Sequence, residues 1–217
     1  MEEERRVAML GDLAVALELP LSFIRAIELL KKERSYKLPF TDEDRKILWA
    51  AEQGLRQIEA VRLVVDNEML LAEPVAVRGV LEEVMTDFGQ FWRLVGEAPT
   101  IQAPKKQLLV DVNRRTIKCL LASLLAESLQ FSRSGQVFAE KTRGGIRIGV
   151  RDFGPALPRN FCYRENQILP LRPKSRAAFL VINELVRGMD TRLETISHLD
   201  GVSFFVNLQE SRQARLW

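Results

Sequence analysis

An α+β chain in two parts, a helical hairpin followed by a sheet covered on one face by helices, is what the sequence predicts, and three observations carry the prediction. Apolar residues up to Val65 recur at alternating spacings of three and four. That pattern breaks at Pro74. Beyond it, strand-like and helix-like stretches follow in mixed order, with tight-turn signals at Arg143-Gly144-Gly145 and Asp200-Gly201.

The first seam runs through Val7, Leu10, Ala14, Leu17, Leu21 and Ile24, the spacing of a coiled coil or helical bundle. A second runs through Ile47, Ala51, Gly54, Ile58, Val61 and Val65. Between them "SYKLPFTDED" supplies a loop with Pro39, then Thr41 or Asp42 as N-cap ahead of acidic first-turn residues. Two helices of roughly 25 to 30 residues joined in this way make a hairpin. A lone hairpin leaves one side of its seam uncovered, so a homodimeric four-helix bundle is expected. The hairpin is assigned to residues 1–70 and a second domain to residues 71–217. Pro74 in "LLAEPVAV" is read as ending the second helix. The second domain should then hold a helix in "VRGVLEEVMTDFGQFWRLV", a strand in "QLLVDV" and a helix in "RRTIKCLLASLLAESLQFS". Two strands follow in "GQVFAEKTRGGIRIGVRDFG", then a helix in "SRAAFLVINELVRGM" and strands in "TRLETIS" and "GVSFFVNL".

Composition narrows the function. Of the 217 residues 47% are apolar and 28% charged, enough for a packed core. The net charge of +3 comes from 32 basic and 29 acidic residues interspersed along the chain, and nothing specific argues for nucleic-acid binding. Cys119 and Cys162 lie far apart without metal-ligand spacing and His198 is the single histidine, which excludes the usual zinc constellations; no disulfide framework is expected. No apolar run is long enough to cross a membrane, and "MEEERR" does not read as a signal peptide, so a cytoplasmic protein is expected.

The stretch "VALELPLSFIR" resembles the phosphoacceptor motif His-Glu-Leu-Arg-Thr-Pro-Leu of bacterial sensor histidine kinases, with Leu17, Pro20, Leu21, Ser22, Ile24 and Arg25 in place. The resemblance extends over nearly the whole chain. It implies a helical-hairpin dimerisation domain followed by an α/β sandwich of the gyrase, heat-shock-90 and histidine kinase ATPase type. Pro20 then corresponds to the family's helix kink. Val15 stands where the phosphorylated histidine would be, and it has no nucleophilic nitrogen; Ala16 replaces the neighbouring acid.

The resemblance also implies a nucleotide pocket whose chemistry is largely gone. Ser123 and Glu127 in "LLASLLAESLQFS" stand at the positions usual for the Mg²⁺-binding asparagine, although a glutamate can also ligand Mg²⁺. "VRDFGPALP" resembles the first glycine box and keeps Asp152 and Gly154, with Ala156 at the second glycine. The family's aspartate binds adenine; an aspartate before a Gly-Pro turn is equally ordinary turn chemistry. The second glycine box falls on Arg176, Ala177, Ala178 and Phe179, which puts side chains where glycines let backbone N–H groups reach phosphate. The lid, residues 159–175, is short. "DGVSFFVNL" has Val202 for the adenine-reaching threonine, with Ser203 adjacent should the register differ by one.

The joint expectation is a pseudo-histidine kinase of bacterial type: not an enzyme, with no catalytic residue, cofactor or metal, acting as a regulatory or interaction homodimer in two-component-type signalling. The resemblance places response-regulator docking on Glu18, Leu19, Ser22 and Phe23, where Val15, Leu19 and Phe23 form an apolar strip that either binds a regulator or histidine kinase or packs on the protein itself. With no sensor domain ahead of the hairpin, a signal is expected to arrive through a partner or through the amount of protein. Two alternatives remain. A phosphate relay would need His198, read as a turn residue in "ISHLDG". Residual nucleotide or anion binding would use Arg151, Arg159, Arg164, Arg172, Lys174 and Arg176, which otherwise form a solvated basic loop or meet an acidic partner.

Overall fold

The computed structural model describes residues 54, 56–61, 63, 72–95, 98–129, 132, 134–154 and 176–211. Val15, Glu18, Leu19, Ser22, Phe23, Ala156, the lid and most of the hairpin with its dimer seam lie outside the described residues. The elements run β1 (Glu73–Ala76), α1 (Val77–Val95), β2 (Thr100–Gln102), β3 (Leu109–Val112), α2 (Arg114–Leu129), β4 (Gly135–Thr142), β5 (Gly145–Asp152), α3 (Arg176–Gly188), β6 (Glu194–His198) and β7 (Gly201–Leu208). Positions 54, 56–61 and 63 are helical.

Two tight hairpins organise the sheet. Thr142 pairs with Gly145 and His198 with Gly201, so each turn has only two residues between its strands, as the glycine signals predict. Gly201 has φ 146°, and a Cβ there would lie 1.9 Å from the backbone oxygen of Asp152, so both the turn and the approach of β5 require glycine. The strand order is β2-β4-β5-β7-β6. Only β2 runs parallel to its neighbour.

Alternation along these strands sends Val137 and Ala139 of β4, Ile146, Ile148 and Val150 of β5, and Val202, Phe204 and Val206 of β7 into one buried face. Helices cover that face: Leu81 and Val84 of α1, Leu120, Leu121, Leu124 and Leu125 of α2, and Ile182, Leu185 and Val186 of α3 complete the core. The result is the α/β sandwich expected. Helix α2 lies between sheet and flanking helices, and its unbroken buried run from Cys119 to Ala122 and from Leu124 to Ser128 reflects neighbours on nearly every side. Asn113 starts it, its Oδ1 accepting from the Thr116 N–H at 3.0 Å.

The opposite sheet face is ordered by one aromatic ring. Phe205 lies against Gly149, where a Cβ would come within 2.6 Å of the Phe205 Cβ. Phe138 flanks it at 6.5 Å between centroids, and the Arg147 guanidinium sits 4.3 Å above it while pairing with Glu140 at 2.7 Å.

From residue 73 onward the helices and the longer strands match the sequence reading; the two short strands β1 and β2 were not expected. Pro74 lies within β1, opposite Asp111 of β3, in a separate two-stranded sheet. Proline is tolerated there because, among the described residues, β1 pairs with β3 alone. Of the second seam, Gly54 is buried and Ile58 and Val61 are half-buried, whereas Ala60 and Leu63, off the seam, are fully buried in the same core as α2.

Candidate functional site

The site expected from the sequence has two ends, and the sheet and helices build them separately. One is the β5–β7 end. Asp152 closes β5, pairs with Val202 across the ladder, and is fully buried. Its Oδ1 accepts from the Val202 N–H at 3.1 Å and from the Gly154 N–H at 3.3 Å. These are the bonds that turn chemistry requires: the carboxylate ties the end of β5 to the start of β7 and folds the chain back at Gly154. Ser132, beyond α2, steadies the same turn. Its Oγ accepts from the Phe153 N–H at 3.3 Å and from the Ser134 N–H at 3.2 Å, and donates to the Ser134 carbonyl at 2.6 Å.

Val202 is fully buried and contributes only its N–H to Asp152. A hydroxyl is not restored by its neighbour. Strand alternation puts Ser203 on the other sheet face, where its Oγ lies 2.8 Å from His198 Nε2. His198 is therefore the last residue of β6, paired with Gly201, and not a member of the turn. Its pKa is lowered, first by burial, then by Arg151, with Asp200 and Asp152 acting in the opposite sense. Arg151, of the expected basic cluster, is already engaged: it pairs with Asp200 at 2.8 Å and lies 5.0 Å over the Phe153 ring. Arg159, Arg164, Arg172 and Lys174 lie outside the described residues, and of Arg176 only the backbone, opening α3, is described.

The second end lies between α2 and α3. Ser123 and Glu127 are one helical turn apart, which places them on one face of α2. Glu127 is 96% covered, its exposure being 4%, and Ala178, in the first turn of α3, is also buried. These three positions, with Ala126 and Val181, line a crevice that Arg56 and Gln57 complete from the hairpin side. It leaves room for about one water molecule. The structure places Ser123, Glu127 and Ala178 on one crevice; the sequence reading gave no sign of Arg56, Gln57 or Ser132. Among the described residues no group of histidine, cysteine, aspartate and glutamate has the arrangement of a metal centre, and no helix is long and apolar enough to cross a membrane.

No family model and no curated protein matches the sequence. Solved structures do. The Acinetobacter baumannii histidine kinase AdeS aligns over 90% of this chain and 98% of its own, with TM-score 0.59 and 15% identity. Histidine kinase ThkA in complex with the response regulator TrrA aligns over 97% of this chain and 64% of its own, with TM-score 0.61 and 15% identity. The nucleotide-free catalytic domain of ThkA aligns over 64% of this chain and 97% of its own, with TM-score 0.55 and 16% identity. At such identities the likeness speaks of fold, and the core of this chain has the ATPase-type α/β sandwich of histidine kinase catalytic domains.

Proposed function

We propose that the chain is a catalytically inactive histidine-kinase-like homodimer, joined through the hairpin of residues 1–70, that serves two-component-type signalling as a regulatory or interaction module without binding ATP or phosphorylating itself. The observation that carries this is the α2–α3 crevice. By the resemblance, Mg²⁺ and the phosphates of ATP would lie against Ser123, Glu127 and Ala178, and these residues line a space for about one water. A triphosphate with its ion is far larger than that space, which favours the inactive reading. Loss of the acceptor is independent of the pocket: Val15 offers no lone pair to a phosphoryl group.

The partner kind follows from the fold's company. ThkA was solved with a response regulator, and the strip of Val15, Leu19 and Phe23, with Glu18 and Ser22 beside it, is the surface on this chain that a regulator or a second kinase would meet. Nothing about His198 favours the relay alternative: it ends β6 as a sheet residue, its Nε2 2.8 Å from Ser203 Oγ. Nor does Arg151, engaged by Asp200 and Phe153, favour an anion site.

Calorimetric titration with a non-hydrolysable ATP analogue and Mg²⁺ tests the reading. No heat and no thermal stabilisation are expected at millimolar nucleotide, for the protein as it stands and for Ser123→Asn with Ala178→Gly. Binding of the unmodified protein tighter than about 100 μM, near −5.5 kcal/mol, would end the inactive reading.

A further inference from the structure

The five-stranded sheet ends in two unlike edges. β2 is three residues long with Pro104 just beyond it, the short, proline-flanked form that discourages further pairing. β6 has none of these devices. It pairs residue for residue with β7 from Glu194 to His198, without a bulge, and holds neither proline nor lysine. Among the described residues it pairs with β7 alone. The exposed large apolar side chains among those residues are Phe153, Ile196 and Leu199, and Ile196, at 38%, and Leu199, at 88%, both belong to β6 and its turn.

The stretch "RLETISHLD", Arg192 to Asp200, complements itself when laid against a reversed copy. About a two-fold axis at Ile196, Arg192 meets Asp200, Leu193 meets Leu199, Glu194 meets His198, Thr195 meets Ser197, and Ile196 meets Ile196. The faces agree as well. Alternation puts Glu194, Ile196 and His198 on the outer sheet face, opposite Phe205, Ser203 and Gly201. Arg192 joins them there by reaching Glu194 at 3.6 Å, and Asp200 by pairing with Arg151 through Oδ1. His198 meets Ser203 through Nε2, so Nδ1 is its atom for a carboxylate across the axis.

We propose that β6 is a self-association edge: β6 of a second copy adds to it antiparallel about Ile196, joining two five-stranded sheets into one. This goes beyond the proposed function and needs nothing of the nucleotide pocket. Together with a hairpin dimer it gives each chain two different two-fold interfaces, so that dimers join into tetramers or longer assemblies.

Sedimentation equilibrium of the full chain up to about 100 μM, beside Ile196→Lys, is the test. The exposed position tolerates lysine, and two lysines then oppose each other at the axis. A tetramer or larger species that falls to a dimer is expected, with the dissociation constant of the edge contact raised at least about tenfold. A parent dimer that becomes a monomer would support the edge and remove the hairpin dimer. Equal masses for parent and folded variant, at any size, would overturn the edge. Should Ile196→Lys not fold, a charge exchange decides. Arg192→Asp and Asp200→Arg each set like charges against one another in a self-pair, whereas a mixture of the two restores opposite charges at both ends. Association recovered in the mixture alone supports the pairing; single variants that associate as the parent does, or a mixture that recovers nothing, overturn it.

Discussion

At the β5–β7 end of the candidate pocket an aspartate is kept, bonded to backbone on two sides, whereas at the α2–α3 end the expected polar and glycine positions hold Ser123, Glu127 and Ala178 around a narrow crevice. The difference has a physical cause. Asp152 Oδ1 accepts from two backbone N–H groups, one across the ladder, so replacing it leaves buried donors without their acceptor. Ser123 meets the buried Cys119 thiol and Ala178 has no polar side-chain atom, so neither ties two strands together as Asp152 does. They face a space that the chain fills with its own helix, and there a change of side chain alters ligand chemistry at little cost in stability. A residue that holds the fold together in this way is kept whether or not a ligand uses it.

The strongest way to break that comparison is at the turn itself. Gly201→Ala should be the most damaging single change considered, lowering stability by about 3 to 4 kcal/mol, because the added carbon meets the Asp152 carbonyl and the backbone has φ 146°. Urea unfolding measures it. A loss below about 1 kcal/mol would mean that β5 and β7 shift apart freely, and that the carboxylate is not what fixes them.

Asp152 comes next. Asp152→Ala should cost about 2 to 3 kcal/mol, with Asp152→Asn losing roughly half as much, since the amide oxygen can still accept from Val202 while the charge assistance is gone. If the alanine variant were as stable as the parent, the survival of this aspartate would need a ligand to explain it, and the reading of this end as structural would fall. The paired measurement at the other end is Ser123→Asn, for which less than about 1 kcal/mol of change is expected at a half-buried helical position.

Much of this contrast was legible in the sequence, and its illegible parts have a common origin. The β4–β5 and β6–β7 hairpins were readable because Gly145 and Gly201 mark turns that only glycine makes easily, flanked by strands of eight, eight, five and eight residues, mostly long enough to show alternation. β1 and β2 were not, since four and three residues with a single well-covered side chain each, Val75 and Ile101, carry no period. Asp152, Gly154 and Val202 could be named from local motifs because their partners are their neighbours in the ladder. Arg56 and Gln57 could not. A heptad count finds the stripe that faces a bundle, but Ala60 and Leu63 belong to a second buried stripe on the same helix, set by α2 more than fifty residues later. Ser132 was hidden for the same reason, its partner Phe153 lying 21 residues away.

The smallest expected effect sharpens the comparison on the outer sheet face, beside Asp152 but on the other side of the ladder. The His198 pKa is lowered by burial and by Arg151, from an ordinary value of 6.5. Above 6.5 the imidazole is largely neutral in folded and unfolded chains alike, and it adds no pH dependence. As pH falls below that value the unfolded chain takes up a proton that the folded one resists, so stability declines until the folded pKa is passed, and the loss is then complete. Protonation also changes what Nε2 can do, because it must then donate to Ser203. With a single histidine in the chain the slope has one owner above the carboxylate range, and His198→Gln should flatten it. A histidine-ring NMR titration, beside urea midpoints from pH 7.5 to 5.5, is the measurement. A midpoint at or above 6.5 would show that the negative charges of Asp200 and Asp152 prevail over Arg151, reversing the sign and making acid stabilise this end of the sheet.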